Sequence, residues 1–157
     1  MLDDKWGYIN LEGEEVTELK YDEAKPTREG MGAVCLDGKW GFVDSEGNEA
    51  VPLKYSEVYD FTEGMARVAL NGKCGFVDKE GNEVVPLEYE GWGSFAGGLA
   101  GVMLDGKWGF IDKTGNLVIE PIYKVAREFM EGMATYTNDG EKWGYIDTSG
   151  NEVIPAG

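Results

Sequence analysis

Asp44-Ser45-Glu46-Gly47-Asn48 and Asp78-Lys79-Glu80-Gly81-Asn82 bring oxygen-bearing side chains together at the spacing nearest to chemistry in this sequence. One chemistry is glycoside hydrolysis, which needs two carboxyl groups at a set separation in a cleft. Asp44 with Glu46 is such a pair, but nothing singles it out from its copies. The other is calcium binding. A calcium loop alternates its ligands and closes on a distant bidentate glutamate. Here Lys79 and Lys113 stand where a ligand or neutral residue is wanted. A turn capped by its own aspartate is the better reading. The chain has no histidine, so the commonest general base is missing. Of Ser45, Ser56, Ser94 and Ser149, three fall in predicted turns or their flanks, and none has a base beside it. Cys35 and Cys74 make neither a zinc set nor a disulfide framework. Nucleophile, base and orienter cannot be assembled, so the sequence predicts no enzyme, no catalytic residue, no metal and no cofactor.

Charge narrows the partners. Thirty acidic against 14 basic side chains give a net charge of −16. Such a surface repels phosphates, which argues against nucleic acid and anionic membranes. No apolar run approaches the ~20 residues that cross a bilayer. Met1-Leu2-Asp3-Asp4 carries no signal-peptide character. The chain opens in mid-unit, as an excised piece of a longer protein would, and the compartment stays open.

The elements that must position any site come from a repeat. Lys5-Trp6-Gly7-Tyr8-Ile9-Asn10 returns as Lys39-Trp40-Gly41-Phe42-Val43-Asp44, Lys73-Cys74-Gly75-Phe76-Val77-Asp78, Lys107-Trp108-Gly109-Phe110-Ile111-Asp112 and Lys142-Trp143-Gly144-Tyr145-Ile146-Asp147. The spacing is 34 residues, and 35 at the last step. A period in this range marks an array in which each unit buries its apolar face against its neighbours. The units run approximately 5–38, 39–72, 73–106, 107–141 and 142–157, the last partial.

Each unit predicts three strands. Met31 to Leu36 ends at Asp37-Gly38, whose residues accept the two-residue hairpin turn. That closure pairs Leu36 with Lys39, Cys35 with Trp40, Ala33 with Phe42, and Met103 with Trp108. The tryptophan strand then closes on the Asp-x-x-Gly-Asn turn. Strand three, Glu49 to Tyr55, contains Pro52, matched by Pro86, Pro121 and Pro155, and so belongs at a strand end or exposed edge. A longer connection follows, such as Ser56 to Gly64, anchored by Phe61, Phe95 or Phe129. At the N-terminus the first strand is missing or reduced to Leu2-Asp3-Asp4, and Glu12, Glu14, Glu15 and Glu18 supply a polar end.

Trp6, Trp40, Trp108 and Trp143 are expected to be the structural core of the repeat, each contributing ~2–4 kcal/mol by burial. The third unit is irregular. It loses a tryptophan at Cys74 and gains Trp92 in Gly91-Trp92-Gly93-Ser94-Phe95. Arg67, by the hairpin count, lies on the face of Cys74. Cys74 is expected to leave a recess that Trp92 fills, or otherwise lines. The candidate ligand- or partner-binding residues are therefore Trp92, Tyr89, Arg67 and Phe95.

The Lys-Trp-Gly-Phe-Val-Asp run, the Gly-Asn turn and Val-Pro-Leu-Lys-Tyr together resemble the bacterial WG-repeat family, from Lys5 to Pro155. The resemblance implies an all-β array used for binding or scaffolding, without a catalytic site. Cys74 departs from the family tryptophan, and Pro26-Thr27 replaces the first aromatic anchor. The expected fold is an array of antiparallel three-stranded β-meanders of about 34 residues, stacked as an open twisted solenoid. The alternative is a closed five-unit propeller-like toroid. The expected function is a noncatalytic interaction or scaffold module for a protein or peptide partner. A glycan or small-ligand module using exposed aromatics, and a structural spacer within a larger protein, are the alternatives.

Overall fold

The computed structural model describes residues 4–157. Leu2 and Asp3, part of the expected remnant strand, lie outside the described residues. The described residues are all-β, with no helix, four antiparallel four-stranded sheets and no closed barrel. The first sheet is β1 (Glu23–Ala24), β2 (Gly32–Leu36), β3 (Lys39–Val43) and β4 (Glu49–Tyr55). The second is β5 (Glu57–Val58), β6 (Met65–Leu70), β7 (Lys73–Asp78) and β8 (Glu83–Tyr89). The third is β9 (Gly91–Trp92), β10 (Leu99–Leu104), β11 (Lys107–Asp112) and β12 (Leu117–Tyr123). The fourth is β13 (Val125–Ala126), β14 (Met133–Thr137), β15 (Gly144–Asp147) and β16 (Glu152–Ile154). Sheet order follows chain order in all four. Ahead of these four sheets, counted below as the first to fourth copies, the bridges Trp6 with Tyr21 and Ile9 with Glu15 outline part of a preceding copy. The chain divides into two compact units, residues 1–71 with 76–83 and residues 72–75 with 84–157.

The three long strands of each sheet are the expected meander. Each sheet adds a two-residue strand from the connection, too short to carry any alternating pattern. Four strands per sheet is also the count of a propeller blade, so the closed alternative is compatible with these sheets. The register follows the hairpin count: Leu36 pairs with Lys39, Cys35 with Trp40, Ala33 with Phe42, and Met103 with Trp108. Asp37 and Gly38 both take positive φ, 53° and 74°, as this turn requires. Pro52 sits exposed on β4, an outermost strand, where no neighbour needs its missing N–H.

The core is built from phenylalanine, tyrosine and branched aliphatic residues. In the first unit Phe42 meets Phe61 edge-on at 4.8 Å, and Val51 and Tyr55 are fully buried. In the second, Phe110 meets Phe129 the same way at 4.8 Å, within a cluster holding Ile119, Tyr123, Tyr136 and Ile146. Buried tyrosines also tie copy to copy. Tyr21 donates to Glu49 at 3.0 Å and Tyr55 to Glu83 at 2.8 Å. The Lys54 ammonium, then the Tyr55 hydroxyl, hold the Glu83 carboxyl below its usual range. At the corresponding place for Tyr89 stands Leu117.

The tryptophans are not this core, and the expectation for Trp6, Trp40, Trp108 and Trp143 is corrected. Trp6 is 43% and Trp143 39% exposed, while Trp40 and Trp108 are half-buried. Burial deepens along the strand. Lys39 is exposed, Trp40 intermediate, and Gly41 to Val43 buried, and β11 repeats the gradient. Trp40 and Phe42 share a face, but only the phenylalanine lies deep enough to be enclosed. Trp108 packs on the rim of the second unit's cluster.

Candidate functional site

The Asp-x-x-Gly-Asn turns are occupied by their own backbone. Asp44 Oδ1 accepts from the amides of Glu46 and Asn48, both at 2.9 Å, and its Oδ2 from the Asn48 side chain. Asp78, Asp112 and Asp147 accept the corresponding backbone amides. The carboxyls of Asp44 and Asp147 are held below their usual range chiefly by the asparagine side chain, and that of Asp112 by Thr114. Among the described residues no cluster of three or more metal-ligating side chains is assembled.

The irregular surface lies instead where each short strand delivers a residue beside the tryptophan. Four backbone bonds fix the equivalence: Lys25 N–H to Ala33 O, Tyr59 N–H to Arg67 O, Gly93 N–H to Gly101 O and Arg127 N–H to Thr135 O, at 2.7–3.0 Å. In the first copy the Lys25 ammonium lies 4.5 Å from the Trp40 ring centre and donates to the Val58 carbonyl at 3.2 Å. In the fourth, the Arg127 guanidinium lies 4.6 Å from the Trp143 ring centre. In the second, Cys74 replaces the indole, Tyr59 replaces the cation, and the Arg67 guanidinium stacks 3.4 Å from the Tyr59 ring centre.

The third copy has only glycine at both places. Gly93 stands for the cation and Gly101 for the neighbouring side chain. A recess of about 380 Å³ results, walled by Trp92, Trp108, Phe110, Ala126 and Met130, with Arg127 and Glu128 among its residues. The corresponding slot beside Trp40, with Lys25 in it, measures about 220 Å³. Neither glycine is forced by the backbone. Neither has positive φ, and a Cβ on either meets nothing nearer than 3.5 Å.

This places the sequence-derived candidates. Trp92, 37% exposed, lines the recess over Trp108. Cys74 is itself buried and is not part of that wall. Tyr89 and Phe95 are each 4% exposed and belong to the interior, which corrects both as surface ligands. Arg67 is held on Tyr59, in another copy of the repeat. Trp108, Gly93, Gly101, Glu128 and Met130 were missed. The signal was present in the column Lys25, Tyr59, Gly93, Arg127, read against the column Trp40, Cys74, Trp108, Trp143.

The WG containing repeat family matches residues 6–40, 40–74, 75–108, 108–141 and 143–157. The chain belongs to this family. Among curated proteins nothing matches the chain. Solved structures share its fold at low identity. Kluyveromyces lactis Hsv2 superposes with a TM-score of 0.54 at 13% identity, over 87% of this chain and 51% of that one. BamB from Moraxella catarrhalis gives 0.52 at 14%, over 94% and 53%. The computationally designed Ika4 protein gives 0.50 at 16%, over 86% and 98%. The chain thus spans about half the length of the Hsv2 and BamB chains. Hsv2 and BamB are β-propeller-like. WG-repeat membership supports a binding or scaffold role in general terms.

Proposed function

We propose that this WG-repeat chain is a noncatalytic module that binds a protein or peptide partner through the surface around Trp92 and Trp108. The carrying observation is the open apolar recess between these indoles, about 380 Å³, in the one of the four sheets whose facing positions, Gly93 and Gly101, supply no side chain. Exposed aromatic walls with a charged rim suit an anchoring side chain from a partner. An anchor burying ~100 Å² of apolar surface gains ~2.5 kcal/mol, so a single short peptide binds weakly and a protein partner must add contacts. A net charge of −16 disfavours nucleic acid and anionic membrane as partners. The glycan reading loses support, because Tyr89 is buried and leaves Trp92 without the second exposed ring assigned to it.

The test is to pan a displayed peptide library on the immobilised chain, in parallel with the Trp92→Ala/Trp108→Ala variant. Enrichment on the wild type and its loss on the variant is the expected result. Equal enrichment on both sinks the site. No enrichment, together with binding on a glycan array, sinks the reading itself.

A further inference from the structure

Resting on that reading, the geometry points to the side chain the recess takes: an arginine or lysine of a basic partner segment, laid on the Trp108 indole. The chain itself shows the solution. In the first copy a lysine lies over the equivalent ring and in the fourth an arginine, at 4.5 and 4.6 Å from the ring centre. In the third copy the backbone is the same, since Gly93 N–H bonds Gly101 O as Lys25 N–H bonds Ala33 O. Only the side chain is missing. Trp108 therefore presents the surface that Trp40 gives to Lys25, and an incoming cation meets an indole face, the best of the aromatic cation acceptors.

Two further features fit a cation with an aliphatic stem. Lys25 Nζ donates to the Val58 carbonyl, and the residue at that place in the third copy is Ala126, which lines the recess. Trp92 and Met130 supply an apolar wall for the stem. Charge around the opening is balanced, not hostile. Arg127 also contributes to the wall, but its guanidinium is stacked on Trp143, and Glu128 stands beside it. The wider surface, at −16, draws basic segments toward the chain.

The test uses the whole chain, labelled with nitrogen-15, and follows the five indole N–H signals in a titration with acetyl-Gly-Arg-Gly-amide. The citrulline peptide, of the same shape but neutral, and the phenylalanine peptide serve as comparisons. The arginine peptide is expected to shift Trp108 and Trp92, with the citrulline peptide about threefold or more weaker. Gly93→Lys, whose Cβ would meet nothing nearer than 3.5 Å, should occupy the slot from within and abolish the shift. Trp108→Ala should abolish the response of Trp92, while Trp6→Ala, at a separate recess, should leave it. The proposal is overturned if citrulline or phenylalanine binds as well as arginine, if the shifts fall on other indoles, or if Gly93→Lys binds unchanged. If no basic peptide binds but panned peptides of other chemistry shift Trp92 and Trp108, this inference fails and the interaction module stands. If nothing panned binds either, both fail.

Discussion

Replacing Gly109 by alanine puts a methyl group where the neighbouring strand already is. An ideal Cβ there lies 2.4 Å from the Ile119 carbonyl oxygen and 2.7–2.8 Å from Pro121 N and the Glu120 carbonyl carbon. These atoms crowd in because β12 is bulged against β11, with register shifts on both sides of Phe110. An ordinary contact begins near 3.4 Å, about 1.0 Å more than the space here, and the obstacle is backbone, which cannot rotate away. Overpacking costs about 1–3 kcal/mol when side chains can adjust. A fixed carbonyl puts this case at the upper end, ~3 kcal/mol. For a chain of this size that lowers Tm by about 6–12 °C. Gly93→Ala is the control in the same sheet, since its Cβ meets nothing within 3.5 Å. It should be neutral, or stabilising by up to ~1 kcal/mol through the lost freedom of the unfolded chain. Thermal unfolding followed by near-ultraviolet circular dichroism reads both. A Gly109→Ala variant melting within 2 °C of wild type, or a Gly93→Ala variant as damaged as Gly109→Ala, would refute the reasoning that separates structural glycines from the two that open the recess.

Three further predictions concern the joints and the turns. Tyr55→Phe removes the hydroxyl that donates to Glu83 at 2.8 Å and should cost ~1 kcal/mol, because the half-exposed carboxylate regains water; urea titration measures it. Leu117→Glu gives the buried Tyr89 the acceptor that Tyr21 and Tyr55 have, and should raise the urea midpoint slightly; a fall would mean that Leu117 contributes more by packing than the bond returns. Asp139, which accepts the Lys142 and then the Glu141 amide, has its carboxyl pulled down to about 2. A depressed folded value contributes stability above the unfolded value near ~4 and loses it as pH falls toward 2. Asp139→Ala should therefore destabilise the chain at pH 7 and flatten the loss of stability between pH 4 and 2. An unchanged acid limb would show that these turn bonds do not hold the loop.

Much of the fold was legible because hairpin chemistry is local. Asp37-Gly38 fixed a two-residue turn, and counting back from it paired Cys35 with Trp40 and Ala33 with Phe42, as observed. The close approach at Gly41, which faces the Val51 carbonyl oxygen with no room for a methyl, comes from the bulge between β3 and β4 and has no local turn signal. Depth was not legible. Alternation assigns Trp40 and Phe42 to one face, but it cannot say where along a strand the next layer begins. Size then points to the larger ring as the core, whereas Phe42 is buried and Trp40 only half-buried. The short strands were also invisible, since Glu57–Val58 offers two residues and no pattern. The recess escaped because it is made of absences, at Gly93 and Gly101, and composition reads glycine as punctuation.

The two-residue strands have a consequence for how such arrays diversify. Each is paired through main-chain bonds and turns at most one small or branched side chain, such as Val58, into the interior, so the residue that follows it can vary without disturbing that interior. Lysine, tyrosine, glycine and arginine occupy that one socket in four successive repeats. The four sockets therefore differ repeat by repeat in a single interchangeable position, and a consensus averaged over copies erases the very letter that tells one socket from another.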